Sequence, residues 1–411
     1  NAQHQFTHGS YSTSLTATSD FGCVATISKS FEVYPLPTAD FSAAPICFGN
    51  ETNFQDLSTL VGVGSITDWN WDLGNGSTSI LQEPVHQYAT AGIFAVTLTV
   101  TSDNNCTNQI TKNVEVYQLP VAAFTFNNGC FNTDILLTNA STPSNNLYDW
   151  EFGDGSLSPL LNPAHQYALP GDYEVKLVTT TLIGACKDSI SHFVSAYPLP
   201  EPAFVTANQC LNVLVNFNDQ SSILAPGNIT NYSWKFGNGM NSNQQNPSHI
   251  YTQEGVYETK LILTSNHGCI DSLSQQVTVW PLPIVDFNAS TVCEQIATDF
   301  TDLSAISSVY SPNSNTAWNW NFGDGNSSNS QSASHLYATH GDYQVTLAVT
   351  SANNCIDSVT KTASIMPLPL VDFTVLNVCS PNSTSFTNAS TIASPSSLAS
   401  FAWDMENNNT V

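Results

Sequence analysis

Tyr148-Asp149-Trp150-Glu151-Phe152-Gly153-Asp154-Gly155, followed by Tyr173-Glu174-Val175-Lys176-Leu177-Val178-Thr179, reads as two strands of a sandwich. The first stretch alternates and runs into a Gly-Asp-Gly tight turn. The second alternates apolar with polar at every step, which marks a strand with one buried face. Around them, Ala122–Phe126, Asp134–Thr138 and Asp188–Val194 read as further short strands. No amphipathic helical stretch of useful length interrupts them. Short strands with frequent turn signals predict an all-β, antiparallel sandwich.

The pattern recurs along the chain. Pro35-Leu36-Pro37 returns as Gln118-Leu119-Pro120, Pro198-Leu199-Pro200, Pro281-Leu282-Pro283 and Pro367-Leu368-Pro369, with leucines 83, 80, 83 and 86 residues apart. Trp71, Trp150, Trp234 and Trp320 are each followed after 15 residues by His86, His165, His249 and His335, and Trp403 opens a further copy. A period of this length makes the repeat the unit of the fold. The expected units are 1–34 (the second half of a repeat), 35–117, 118–197, 198–280, 281–366 and 367–411 (the first half of one).

The recurring Trp-x-Phe-Gly-Asp-Gly, His-x-Tyr and Gly-Asp-Tyr motifs resemble the PKD (polycystic kidney disease) domain. They stand as Trp150–Gly155, His165-Gln166-Tyr167 and Gly171-Asp172-Tyr173, and again as Trp320–Gly325, His335-Leu336-Tyr337 and Gly341-Asp342-Tyr343. Asn75 and Asn238 replace the turn aspartate in two repeats, and Met405-Glu406-Asn407-Asn408 departs further. The resemblance implies tandem immunoglobulin-like sandwiches in an extended string, incomplete at each end, in an extracellular setting. It implies no activity. A Gly-Cys-x-Asp-Ser strand joined to Pro-Leu-Pro also resembles repeats of large surface proteins of Bacteroidota-type bacteria.

Composition narrows the partners. The 411 residues carry 32 Asp+Glu against 7 Lys+Arg, all lysines, for a net charge of −25. Nucleic acid and an anionic membrane surface are excluded as partners, because both need clustered cations. No run of about 18 apolar residues occurs, so no membrane insertion is expected. With only 9% of residues charged, the polar surface rests on Asn, Ser, Thr and Gln.

The ten cysteines form five couples, each spaced by 24 residues: 23/47, 106/130, 186/210, 269/293 and 355/379. A fixed repeat position reads as disulfides in an oxidising compartment. No couple has the Cys-x-x-Cys spacing of a zinc site. In an immunoglobulin-like strand order, the two cysteines of one repeat lie at opposite poles, roughly 25 Å apart. A disulfide needs Cα atoms within about 7 Å. The far pole of one repeat meets the near pole of the next, which gives Cys47–Cys186, Cys130–Cys269 and Cys210–Cys355. Cys23, Cys106, Cys293 and Cys379 are then left to bond neighbouring units. Pairing within a repeat, as Cys47–Cys106, and pairing across the 24-residue spacing remain the alternatives.

Other motifs have plainer readings. One turn aspartate per repeat falls short of the six to eight oxygens that calcium needs, so the Gly-Asp-Gly turns are read as turns, with Ca²⁺ a minor alternative and no cofactor expected. One histidine per repeat makes no catalytic constellation, and each is expected to hydrogen-bond at a strand edge. The tryptophans read as core. Asp188-Ser189, Asp271-Ser272 and Asp357-Ser358 resemble an O-glycosylation motif of Bacteroidota, which makes Ser189, Ser272 and Ser358 candidate attachment sites.

The functional expectation is a structural, non-enzymatic extracellular protein: a disulfide-stapled rod or filament at the cell surface, for adhesion or as a stalk. Its expected partners are copies of itself or adjacent repeats, head to tail, with surface glycans or other cells as further partners. Residues 1–34 and 367–411 complement each other in phase. They read either as parts of one super-repeat in a far longer polypeptide or as halves of a split domain completed between subunits by strand addition; an arbitrary cut is the plain alternative. The competing function is a polysaccharide-binding or spacer array of a large secreted hydrolase.

Overall fold

Thr97, Thr99 and Thr101 alternate with Val96, Leu98 and Val100 on the strand Gly92–Ser102, and the three apolar residues are fully buried. A strand places successive side chains on opposite faces, so this alternation turns one face to the core and the other to solvent. The computed structural model of the protein describes residues 1–144, 146–307, 309, 314–379 and 381–405. The departing motif residues Glu406, Asn407 and Asn408 lie outside them. Every described regular element is a strand. The chain divides into two units, Asn1–Pro198 and Leu199–Val411.

In the first unit, repeat 35–117 packs a five-stranded sheet on a three-stranded one. The larger sheet runs Ile46–Cys47, Thr107–Tyr117, Gly92–Ser102, Ile66–Asp72, Thr78–Ser79. Its first pair is parallel, with Cys47 opposite Tyr117. The smaller sheet runs Phe41–Ala43, Thr52–Asp56, Val85–His86. Repeat 118–197 has the same plan, with Gly129–Cys130 parallel to the end of Lys187–Tyr197. Sequence patterning placed its strands to within a few residues. The first is shorter than expected, Phe124–Phe126, and the last longer, Lys187–Tyr197. Alternation is the signal that sequence offers, and Ala196 carries the buried face beyond Val194, the expected end.

The second unit repeats the plan with two variations. In repeat 198–280 the smaller sheet is replaced by three separate pairs, Pro200–Glu201 with Ser222–Ile223, Phe204–Val205 with Asn218–Asp219 and Leu214–Asn216 with Ser248–Ile250. In repeat 281–366 the larger sheet has four strands, and its parallel edge reduces to a single bridge, Cys293 to Met366.

Each of the four cores is built on one tryptophan. Trp71, Trp150, Trp234 and Trp320 have no solvent exposure. Each indole N–H donates to a carbonyl ten residues on, of Leu81, Leu160, Gln244 and Ser330, at 2.9 Å. That satisfies the one polar atom the ring carries into the interior. A phenylalanine from the first strand packs edge-on against each ring, as Phe41 does on Trp71 at 5.1 Å and 72°. The tyrosine of each His-x-Tyr is buried too and donates its hydroxyl to the carbonyl just before the Gly-Asx-Gly turn, as Tyr167 does to Phe152 at 2.9 Å. Burial pushes the phenol of Tyr88 up to about 12 and raises Tyr167, Tyr251 and Tyr337 as well.

Candidate functional site: the disulfide joints and the turn latches

Two disulfides tie successive repeats together. Cys47 bonds Cys186 and Cys210 bonds Cys355, each with Cα atoms 5.6 Å apart. The backbone presents each partner in a repeated way. Cys47 and Cys210 lie on two-residue strands that run parallel to the ends of the last strands of their own repeats. Two residues further on, Gly49 and Asn212 adopt positive φ, turning the chain so that Asn50 N–H and Val213 N–H reach back to Cys47 O and Cys210 O. Asn and Gly are the residues that tolerate this conformation.

The other partner sits in the turn before the last strand. Cys186 and Cys355 are buried, and each follows a residue of positive φ, Ala185 and Asn354. A hydroxyl holds each turn: Thr181 accepts from Cys186 N–H at 3.0 Å and Ser351 from Cys355 N–H at 3.2 Å. At the first joint the bare face of Gly184 lies against the Tyr117 ring, so any side chain there would collide with it.

The expected bond Cys130–Cys269 would join the two units and stays a proposal. Cys23, Cys106, Cys293 and Cys379 carry free thiols. Cys106 nonetheless sits in the same turn as Cys355, after Asn105 at φ 58° and with Ser102 accepting from its N–H. Cys293 occupies the same edge as Cys47, bridged to Met366 and followed by the positive-φ residue Gln295.

The histidines and the turn residues, read separately in sequence, form one device. His165 Nε2–H donates to Asp154 Oδ2 at 2.7 Å, and His335 makes the same bond to Asp324. Each ring stacks on the phenylalanine before the turn, His165 on Phe152 at 4.1 Å and 2°. In the other two repeats the direction reverses: Asn75 and Asn238 donate their amide N–H to His86 and His249 Nε2, at 3.0 and 2.9 Å. The remaining oxygen of each Asx caps the turn, as Asp154 Oδ1 accepts from Ser156 N–H and Asn75 Oδ1 from Ser77 N–H. The turn needs glycine: Gly153 has φ 83°, and a Cβ there would strike the Glu174 backbone. Burial disfavours ionised Asp154, yet hydrogen bonds from Ser156 and His165 outweigh it and hold the carboxyl below its ordinary range; Asp324 behaves likewise. Burial lowers His249. Among the described residues, no three His, Cys, Asp or Glu side chains group to hold a metal ion.

A second polar clasp, not foreseen from sequence, closes the first and last strands. Lys112 Nζ lies 2.5 Å from Asp40 and donates to Phe41 O, above the Phe41 ring. Lys361 repeats this with Asp286 and Phe287. In the other repeats His192 and Gln275 take the lysine's place, with Ala123 and Ala203 in place of the aspartate.

Ser189, Ser272 and Ser358 are exposed on the outer face of the large sheets, opposite Val178, Ile262 and Ala348. They share one repeat position, and the N–H groups of Ser272 and Ser358 donate to the side-chain oxygens of the preceding aspartates, Asp271 and Asp357.

The family model of the PKD domain matches residues 34–117, 119–194, 195–280 and 281–366. The chain belongs to the PKD domain family. PKD domains are a non-catalytic domain type. Similar proteins include collagenase ColA of Clostridium perfringens, 38% identical over 65 residues, which is 16% of this chain and 6% of that protein. Pre-pro-metalloprotease PrtV of Vibrio cholerae is 40% identical over 53 residues, 13% of this chain and 6% of its own length. The chain therefore spans a small fraction of these relatives. Among solved structures, the PKD1 domain of Vibrio anguillarum Epp aligns at 29% identity and a TM-score of 0.20, covering 21% of this chain and 99% of that one.

Proposed function

We propose that this PKD array is an extracellular mechanical element, a rod or stalk at the cell surface whose joints are covalently closed. The observation that carries the reading is the pair of disulfides between successive repeats, Cys47–Cys186 and Cys210–Cys355. They span 139 and 145 residues, and closing a loop of that order removes about 4–5 kcal/mol of chain entropy from the unfolded state. A bond placed at a joint also resists bending there. Disulfides persist in oxidising compartments, which supports the extracellular setting. A surface attachment, an adhesive role and glycans on Ser189, Ser272 and Ser358 belong to the same proposal.

Single-molecule stretching tests it. Under oxidising conditions the residues inside each loop are shielded from force. Reduction should then lengthen the fully extended chain by up to roughly 3.5 Å for every residue released. Equal extension with and without reductant would rule out staples that bear force.

A second reading, a spacer array within a secreted protease, is favoured by the similarity to collagenase ColA and PrtV. It requires a catalytic domain on the same native polypeptide. The mass of the native chain on a denaturing gel, with peptide mapping, decides between the two.

A further inference from the structure

Asn75-Gly76 and Asn238-Gly239 form the tips of two latches, where the other two repeats carry Asp154-Gly155 and Asp324-Gly325. Asparagine before glycine has a chemistry of its own. The glycine nitrogen, with no side chain beside it, attacks the asparagine Cγ, and the side-chain nitrogen leaves as ammonia. Water then opens the cyclic imide to aspartate. The latch supplies what each of these steps needs. Asn75 Oδ1 accepts from Ser77 N–H at 3.0 Å, and Asn238 Oδ1 from Met240 N–H at 3.2 Å. Each N–H thus faces the oxygen that becomes negative when its carbon is attacked. The leaving nitrogen, Nδ2, donates to His86 Nε2 at 3.0 Å and to His249 Nε2 at 2.9 Å. A protonated imidazole in that position gives a proton to the nitrogen as it departs. The nucleophiles are free: among the described residues, the N–H groups of Gly76 and Gly239 meet no acceptor. Both glycines are exposed, and a Cβ on either would meet nothing within 4 Å, so water reaches the site.

The fold already accommodates the product. Asp154 and Asp324 meet the same histidine nitrogen at 2.7 Å, and their Oδ1 atoms cap the same turn. Conversion therefore exchanges a neutral bond for a charge-assisted one. The turn also selects between the two ways of opening the imide. An isoaspartyl link would add one carbon to the main chain inside a turn closed by Leu73 N–H to Ser77 O, or by Phe236 N–H to Met240 O. The chain's other Asn-Gly pair, Asn128-Gly129, is a contrast built into the same molecule. Gly129 lies on a strand opposite Ala196, and a side chain on it would crowd Ile135. Asn128 Nδ2 faces the Tyr197 hydroxyl, a far weaker acid than an imidazolium.

We propose that the Asn75 and Asn238 latches are self-modifying sites, which deamidate in the folded protein to the histidine–aspartate latch of the other two repeats. The glycine nitrogen bonds to Cγ and its proton passes to water. The Cγ–Nδ2 bond breaks, and ammonia leaves with a proton from the histidine, which regains one from solvent. Water then adds at Cγ, the glycine nitrogen takes a proton back, and a carboxylate remains. No oxidant or reductant takes part. Each conversion adds one negative charge, and after both the four repeats carry one kind of latch.

Peptide mapping by mass spectrometry tests it, on the full chain incubated at neutral pH both folded and in guanidinium. Unfolded, the three Asn-Gly pairs share one environment and should react at similar rates. Folded, residues 75 and 238 should convert about tenfold faster than residue 128, and faster than they do unfolded, with aspartate rather than isoaspartate as the main product. His249→Phe keeps an aromatic ring beside Phe236 and should slow residue 238 about tenfold while leaving residue 75 unchanged. Asp154→Asn sets the same pair beside His165 and should return to aspartate at the rate of residue 75. Folded rates below the unfolded ones would overturn the proposal, because the turn would then be protecting its amides. An Asp154→Asn chain that keeps its amide would overturn it too, as would a His249→Phe chain that folds and yet reacts like the parent.

Discussion

The core of a PKD repeat and the latch beside it follow different rules. The core is the same in all four repeats: one buried tryptophan, an edge-on phenylalanine, and a tyrosine donating to the same carbonyl. The latch varies. Repeats 118–197 and 281–366 pair histidine with aspartate, and repeats 35–117 and 198–280 pair it with asparagine. A close-packed interior has little room for exchange. A half-exposed turn needs only an oxygen to cap the backbone and a second polar atom to meet the ring. Asp and Asn both provide that, with the proton on opposite sides of the bond.

If that contrast is right, the largest effects are insensitive to latch type. Trp150→Ala and Trp234→Ala should each cost about 3–5 kcal/mol, because both leave a cavity of ring size. Denaturant unfolding of the whole chain would follow both. A difference between them as large as the effect itself would mean that the latch supports the core.

Removing the histidine separates the two kinds of repeat. His165→Ala leaves Asp154 as a partly buried carboxylate without its charge-assisted bond, for a loss of about 1.5–3 kcal/mol. His249→Ala leaves only a neutral amide, for about 0.5–1.5 kcal/mol. Hydrogen exchange in the turns would report each loss locally. Equal losses would show that the stacking on Phe152 and Phe236 matters more than the hydrogen bond.

The histidine and its turn were legible in sequence only as separate motifs. Their spacing was plain, but the bond joins residues 11 apart across two strands, and nothing in a single repeat reveals the pairing. The Asp/Asn exchange was visible and was read as turn chemistry, which accounts for one oxygen and misses the other. The clasp was harder still, since Lys112 and Phe41 lie 71 residues apart. By contrast, the alternation in Tyr173–Thr179 and the spacing of the tryptophans carried the all-β sandwich directly, because burial imposes a period that a sequence cannot hide. Cysteine spacing alone allowed several pairings, and only strand order distinguishes poles.

Acid should sharpen the same contrast. His249 is lowered below its ordinary 6.5 by burial, so the unfolded chain takes up this proton first. Its contribution is present above 6.5 and is lost as pH falls from there through the folded value. Protonation also places an N–H against the Asn238 amide, donor facing donor. Asp154 and Asp324 are lowered from 3.8, so their contribution is present above that value and disappears only as pH falls below it. Repeat 198–280 should therefore loosen as pH falls below 6.5, while the aspartate latches hold until pH has fallen below 3.8. Asn238→Asp should move its onset into the acid range. NMR titration of the His249 ring, in parent and variant, checks the shift, and an unchanged onset would separate the pH response from the latch.

The smallest effect concerns the turns that present the cysteines. Gly22, Asn105, Ala185, Gly268 and Asn354 all hold positive φ one residue before a cysteine. Ala185 is the exception in kind, since an L-residue with a Cβ and no polar side chain is held there at a cost of about 1–2 kcal/mol. Glycine would relieve that strain but gives the unfolded chain more freedom, worth about 0.4–1 kcal/mol. The net gain for Ala185→Gly is then roughly 0.5 kcal/mol, a small rise in midpoint with the slope unchanged. Asn354→Gly exchanges one tolerated residue for another and should gain less. If Ala185→Gly destabilises the joint instead, the rigidity of that turn is what keeps Cys186 in place for Cys47, and the strain is part of how the staple is held.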